Sequence, residues 1–367
     1  MFSRNYCNLI ENLPTALVHD LQAFLIQAFA ILPEDCQVYL IGSAARNEFT
    51  WFPDQALKTY SDIEFLVTHK SSLNLSKINE LNDLAHEIVI KSHIKSRHYK
   101  IDLGFYSERR FRMLPDTLWK MEVIFFAVPV FALREHLIKS DVQRDKFDHG
   151  NLNELAFVRL THFLKELLSQ EMKLKEISPI FLSRNYLEIA TILLPKYGIF
   201  SCGYASRIYQ FCNNYNFNAT IRKNLMKSYL SRKGKKEDDL LTSEEFLSGY
   251  IYLIQEILNI HDLNELTFRN FTGRFSTFKE TPYKRIRRIV KSFYLFRSRQ
   301  NNISLSILKS LTIDPRQEVF FSIIHIILNL KEKCFQNLSS DAAGMQSLAE
   351  EMQTAIDEME ILLMGNT

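Results

Sequence analysis

Glycine and proline are scarce in this chain, at 10 and 9 of 367 residues. So few breakers exclude a loop-dominated protein and, with abundant Leu, Ile, Lys and Glu, favour helices. An excess of one charge is also missing. Lys and Arg number 45 against 42 Asp and Glu, and the net charge of +3 is too small to argue for nucleic-acid binding by itself. The five cysteines (Cys7, Cys36, Cys202, Cys212 and Cys334) are scattered, odd in number and without a CxxC pair. They suit reduced thiols and give no zinc site. Long apolar runs are lacking as well. The most apolar, Val123–Leu133, is too short to span a bilayer and contains Pro129. Ala16–Leu32 is interrupted by His19, Asp20, Gln22 and Gln27, so no signal peptide is expected. The expectation is a soluble, cytoplasmic protein that makes no use of a membrane.

What the chain does contain is pattern. Its length suggests two domains, each able to bury a core. Val18, Leu21, Leu25, Phe29 and Leu32 recur at helical spacing and predict a helix over Pro14–Leu32. Val38–Ile41, Ile63–Val67 and Tyr99–Tyr106 read as strands, and Glu122–Pro129 as a further strand-like stretch. Ala44–Phe49 starts a helix, Thr50–Tyr60 is a loop around Pro53, and Leu75–Ile90 is an amphipathic helix. From Asn151 onward the pattern is helical, over Asn151–Gln170, Phe181–Leu194, Tyr204–Tyr215, Glu244–Leu258, Tyr283–Phe296, Glu318–Leu330 and Ala342–Met364. Ser231–Asp239 reads as a charged, exposed loop. The fold class expected is α+β: a small mixed-sheet domain over residues 1–145, then a helical domain over 146–367.

The chemistry concentrates in Val38-Tyr-Leu-Ile-Gly-Ser-Ala-Ala-Arg46 and Tyr60-Ser-Asp-Ile-Glu-Phe-Leu-Val67. Asp62 and Glu64 stand two apart on a predicted strand, so alternation puts both on one face, while Ile63 and Phe65 face the apolar side. Two crowded carboxylates repel unless a cation lies between them. Mg²⁺ takes oxygen ligands and keeps substrate phosphates in its shell, and a pair of such ions suits an in-line displacement. Gly42-Ser43 ends the preceding strand, where backbone N–H groups and the Ser43 hydroxyl can meet phosphate oxygens. Arg46 follows one turn later. Asp102, a lone acid in Tyr99-Lys-Ile-Asp-Leu-Gly-Phe105, is the third carboxylate.

These segments resemble the nucleotidyltransferase superfamily, whose signature is Gly-Ser, a loop, an Asp-x-Asp/Glu pair and a later strand carboxylate. Gly42-Ser-Ala-Ala-Arg46, Tyr60-Ser-Asp-Ile-Glu64 and Ile101-Asp-Leu-Gly-Phe-Tyr-Ser107 most resemble the kanamycin-type aminoglycoside nucleotidyltransferases, over roughly residues 35–170. The resemblance implies a nucleotidyltransferase sheet domain followed by a helical acceptor-binding domain. It implies two Mg²⁺ ions on Asp62, Glu64 and Asp102, and a nucleoside triphosphate such as ATP bound by Gly42, Ser43 and Arg46. It also implies a small hydroxylated acceptor, aminoglycoside- or sugar-like. Glu166, on the Asn151–Gln170 helix, matches a glutamate of that family that acts as general base; Glu154 is a rival, and Asp102 is the other candidate base. His162 reads as a structural histidine. The basic run from Arg274 to Arg299, interleaved with Phe and Tyr, leaves RNA open as an alternative acceptor, beside a protein hydroxyl. A catalytically inactive, nucleotide-binding regulatory protein is the reading from another functional class.

Overall fold

The computed structural model describes residues 2–134 and 148–364, apart from 12, 53–57, 60, 71–72, 95, 97–98, 202, 215, 234–239, 276, 278–285, 287–288, 292, 294–313 and 336–341. The chain is mostly helical and carries one small mixed four-stranded sheet. It divides into two compact units: Met1–Phe147 with Cys202–Tyr204, and Asp148–Ser201 with Ala205–Thr367.

The first unit begins with α1 (Arg4–Ile10) and α2 (Thr15–Ile31) and then enters β1 (Cys36–Ile41). A four-residue helix, α3 (Gly42–Ala45), leads to the two-stranded ribbon β2 (Trp51–Phe52) and β3 (Lys58–Thr59). Next come β4 (Ile63–His69), α4 (Leu75–Lys91), β5 (Ile101–Ser107), α5 (Glu108–Arg112), α6 (Leu118–Phe126) and β6 (Val128–Pro129). The sheet order is β5-β4-β1-β6. β4 and β5 are parallel, joined through α4, and β1 is antiparallel to both its neighbours.

Alternation along the strands sorts their side chains between two faces. Val38, Leu40, Ile63, Phe65, Val67 and Ile101 join Leu21, Phe24, Leu25, Leu81 and Leu84 of α2 and α4 in the larger core. Phe24 stacks on Phe65 with ring centroids 5.6 Å apart. Asp20, buried in α2, accepts hydrogen bonds from Ser92 Oγ and, at 3.1 Å, from Tyr99 Oη. That pair of bonds fastens α2 to both ends of the connection between α4 and β5. The opposite sheet face carries a smaller cluster of Tyr39, Ile41, Leu66, Phe111 and Val123. Because the parity that buries Ile63 and Phe65 on one side sends Glu64 to the other, this second face is where the acids lie.

Several sequence expectations need correction. Glu122–Pro129 is not a strand: α6 runs to Phe126, and only Val128–Pro129 pairs with β1. The strand-forming residues Val123, Ile124, Phe125 and Phe126 are overridden by a Thr117 cap, which accepts from Lys120 N, and by burial of Leu118, Met121 and Val123 at helical spacing. Ala44–Phe49 does not continue as a helix; α3 stops at Ala45, and Asn47 turns the chain at φ +55°. Thr50–Tyr60 holds the short β2–β3 ribbon. α1, capped by Ser3 and burying Tyr6 and Ile10 four residues apart, is a short helix that the sequence reading did not anticipate.

The second unit is helical. Its helices are α7 (His149–Ser169), α8 (Pro179–Tyr186), α9 (Glu188–Lys196), α10 (Tyr204–Cys212), α11 (Ala219–Arg232), α12 (Ser243–Leu258), α13 (Phe268–Arg274), α14 (Pro315–Phe335) and α15 (Ala342–Met359) among the described residues. Phe181–Leu194, expected as one helix, is thus two, divided at Leu187. α11 escaped the sequence reading because its buried face includes Asn224, Lys227, Ser228 and Ser231 beside Ile221 and Leu225. Lys227 is made tolerable there by Glu245, 2.9 Å away. α7 is central, burying Leu152, Phe157, Leu160, Phe163, Leu164 and Leu167. Phe163 stacks on Phe246 of α12 at 4.7 Å, and Phe157 on Phe320 of α14 at 4.4 Å. Most of the expected Tyr283–Phe296 helix and residues 234–239 of the charged loop lie outside the described residues.

His162 of α7 is largely buried, and burial first, then Arg159, Lys165 and Arg184, lowers its pKa to about 4. A neutral imidazole is therefore part of the folded state. The unfolded chain takes up that proton near pH 6.5, so the contribution is complete above that pH and is lost as the pH falls towards 4. A shift of this size corresponds to about 3 kcal/mol. We predict that His162→Gln flattens the loss of stability between pH 6.5 and 4 by up to that amount in urea titrations. Parallel pH profiles for variant and wild type would contradict it.

Candidate active site

Glu64 is the second residue of β4 and pairs in register with Asp102 of β5. Residues opposed on parallel strands point to the same face, and Asp62, two before Glu64, shares its parity. The three acids picked from the sequence therefore gather at one end of the β4–β5 ladder, on the face away from α2 and α4. Glu64 lies deepest. Burial first, then the charge of Asp62, raises its pKa, Arg46 lowers it, and Asp102 and Glu122 raise it; the result is pushed up to about 7. Asp62 is 24% and Asp102 44% exposed at the side chain.

Gly42 shows how tightly this corner is built. β1 runs antiparallel to β4 with Ile41 opposite Glu64, so the next residue meets the Glu64 carboxyl end-on. A methyl group on Gly42 would stand 1.7 Å from Glu64 Oε2. Gly42 also adopts φ +70°, the left-handed region that glycine enters without strain. Two independent reasons thus demand glycine here, and the sequence had offered only the general one of a turn. Ser43 follows at the first turn of α3, and its carbonyl accepts from Glu48 N at 2.8 Å.

Arg46, expected to face a nucleotide, is engaged by two acids. Its Nε donates to Glu48 at 2.9 Å and its Nη1 to Glu122 at 3.0 Å, with all three side chains largely buried. Burial lowers the guanidinium pKa, but Glu122 and Glu48 more than reverse this and it stays raised. Arg46 thereby ties the turn after β1 to α6 and places a fixed positive charge near Glu64. Glu48 and Glu122 were missed as site residues. The only signal for Glu122 was a lone acid amid apolar residues, which the strand reading obscured.

Lys100 was missed too. Its Nζ lies 2.5 Å from Asp102 Oδ2 and 4.0 Å from Asp62 Oδ2. The alternation Lys100-Ile101-Asp102 could have disclosed it, because it puts lysine and aspartate on one face. Among the described residues, no three His, Cys, Asp or Glu side chains stand close enough together to hold a metal ion as they are. An ammonium, rather than a third oxygen ligand, is what Asp102 meets. The donor set itself is all carboxylate, which is the chemistry of a hard divalent cation such as Mg²⁺.

The remaining candidates lie in the second unit. Glu166 is half-buried in α7 and accepts a long hydrogen bond from Gln170 Nε2, 3.4 Å. Glu154 is committed to a buried ion pair with Arg316 Nη1 at 2.8 Å, which argues for a structural role. Of the basic run, Arg274 donates to the carbonyl of Asn259 at 2.7 Å, and Lys291 to that of Ile361 at 2.9 Å. Lys279, Lys284, Arg285, Arg287, Arg288, Arg297 and Arg299 lie outside the described residues.

We predict that Gly42→Ala destabilises the protein by about 1–3 kcal/mol, from left-handed strain and the clash with Glu64. Glu64→Ala removes the clashing carboxyl, so the double variant should recover part of that loss. A double-mutant cycle in urea should then give a coupling of at least about 0.5 kcal/mol. Simple additivity would show that the two residues do not touch.

The first unit's helices and sheet, and the acids at its corner, are the chain's own guide to function. No family model matches the chain, and no curated protein is significantly similar to it.

Proposed function

We propose that this protein is a metal-dependent nucleotidyltransferase that moves a nucleoside monophosphate from a nucleoside triphosphate to a hydroxyl group. One observation carries the reading: Glu64 and Asp102 are in-register neighbours, with Asp62 at matching parity, and the Glu64 carboxyl abuts the Gly42 that opens a Gly-Ser turn. The spacing resembles that of the kanamycin-type enzymes, and here the same residues form one acidic corner.

In this reading Asp62, Glu64 and Asp102 hold two Mg²⁺ ions. When bound, Mg²⁺ neutralises phosphate charge and favours the ionised form of the acceptor hydroxyl. The Gly42-Ser43 turn binds the β- and γ-phosphates through backbone N–H groups. Arg46, held by Glu48 and Glu122, is a positioning residue that fixes this turn and adds positive potential. The acceptor oxygen forms a bond to the α-phosphorus while the bond from that phosphorus to the pyrophosphate oxygen breaks. The hydroxyl proton passes to a carboxylate, for which Asp102 is the candidate within this unit. The products are a nucleoside monophosphate ester and pyrophosphate.

A small hydroxylated molecule, aminoglycoside- or sugar-like, is the acceptor we favour, because the motif spacing resembles enzymes with small acceptors. A second reading is an inactive nucleotide-binding regulatory protein. What favours it is the Lys100 ammonium, which already neutralises Asp102 without a metal ion.

The test is incubation with Mg²⁺, each labelled triphosphate and a metabolite extract, followed by pyrophosphate release and product mass. The wild type should yield a product heavier than its acceptor by one nucleotidyl group. Asp62→Asn and Glu64→Gln should each lower turnover by roughly 100-fold or more while folding normally. Retained turnover in either variant at saturating Mg²⁺ would refute the metal-site assignment. Nucleotide binding without pyrophosphate release, whatever the acceptor, would favour the regulatory reading.

A further inference from the structure

Lys100 is the cation in direct contact with Asp102 at the acidic corner. It stands immediately before β5, where strand alternation gives it the parity of Asp102, and it reaches both outer acids. Its side chain is 59% exposed, so it is anchored by charge rather than by packing. The deeper acid, Glu64, is not its ligand: Glu64 abuts Gly42, with the fixed charge of Arg46 near it. The corner therefore has two kinds of positive charge. Arg46 is locked by Glu48 and Glu122, whereas Lys100 rests on Asp62 and Asp102 through one exposed, flexible stem.

We propose that Lys100 is a built-in competitor of the divalent ion, holding Asp62 and Asp102 together in the metal-free protein and leaving them when the ion binds. This rests on the metal-site reading above. A monovalent ammonium 2.5 Å from Asp102 neutralises an oxygen that the ion needs. A divalent ion attracts the same acids more strongly at similar distance, so exchange is favourable but weakened by the lysine that must be displaced. Without Lys100, three acids face one another with Arg46 as their counter-charge among the described residues. Such a corner is less stable alone and more avid for a cation. The displaced ammonium then stands beside the corner, free to meet a triphosphate.

The experiment measures Mn²⁺ binding by electron paramagnetic resonance, and melting temperature in chelator and in Mn²⁺. Wild type, Lys100→Met and Lys100→Arg are compared. Lys91→Met is the control, because Lys91 is an exposed lysine paired with Glu87 in the same helix. Lys100→Met should bind Mn²⁺ with a Kd lower by about tenfold, given one unit charge removed next to the ion. It should melt lower than wild type in chelator, and Mn²⁺ should raise its melting temperature by more. Lys100→Arg should stay near wild type, as should Lys91→Met. Equal Mn²⁺ affinity in wild type and Lys100→Met would overturn the competition while leaving the metal site standing. Weaker binding in Lys100→Met would make lysine a helper of the metal and would also overturn it. If neither protein binds Mn²⁺, both the competition and the metal-site reading fall.

Discussion

Asp62, Glu64 and Asp102 repel one another, and most of what is unusual in the first unit answers to that repulsion. Parallel pairing of β4 with β5 sets Glu64 beside Asp102, and parity adds Asp62. Crowding three acids where one is largely buried costs free energy, which the raised pKa of Glu64 expresses. Arg46 and Lys100 offset it in different ways. Arg46 does so from a buried position braced by two further acids, and Lys100 from an exposed one. Gly42 yields the space that the Glu64 carboxyl occupies. Gly42 and Arg46 also answer to local demands, the left-handed turn and the pairs with Glu48 and Glu122, whereas among the described residues Lys100 is held by the acids alone.

The opposite face of the same sheet supplies the rigidity. Ile63, Phe65 and Val67 alternate with the residues of the acid-bearing face, so the packing against α2 and α4 fixes the register that brings Glu64 to Asp102. A slip by one residue would send the acids into the core and the apolar residues out, which makes the register strongly determined. Asp20, held by Ser92 and Tyr99, ties the connection between α4 and β5 to α2, and so helps to set where β5 begins. The acidic corner is thus positioned by contacts that lie behind it.

Much of this was legible in the sequence. Apolar runs and period-two alternation located β1, β4 and β5 and put Asp62 and Glu64 on one face, because a strand has a fixed parity. Helical spacing located α2, α4, α7 and α12. What was not legible depended on a cap that competes with composition or on partners distant in sequence. Val123–Phe126 has the composition of a strand, and only the Thr117 cap and burial of Leu118 and Met121 make it a helix. α11 buries polar side chains matched by other helices, so it shows little apolar period. Glu122 as a partner of Arg46 needed the fold, since 76 residues separate them. Lys100 carried the clearer local signal, its two-residue offset from Asp102, whereas the lone acid Glu122 was obscured by the strand reading.

The account's central claim is that Asp62, Glu64 and Asp102 form a divalent-cation site. The most direct measurement is anomalous diffraction from crystals soaked in Mn²⁺ with a non-hydrolysable nucleoside triphosphate analogue. The account predicts an anomalous peak within ligand distance of Glu64 and Asp62, with triphosphate density reaching towards the Gly42-Ser43 turn and Lys100 turned away from Asp102. Triphosphate bound elsewhere, with no peak at these carboxylates and Lys100 still paired to Asp102, would contradict it.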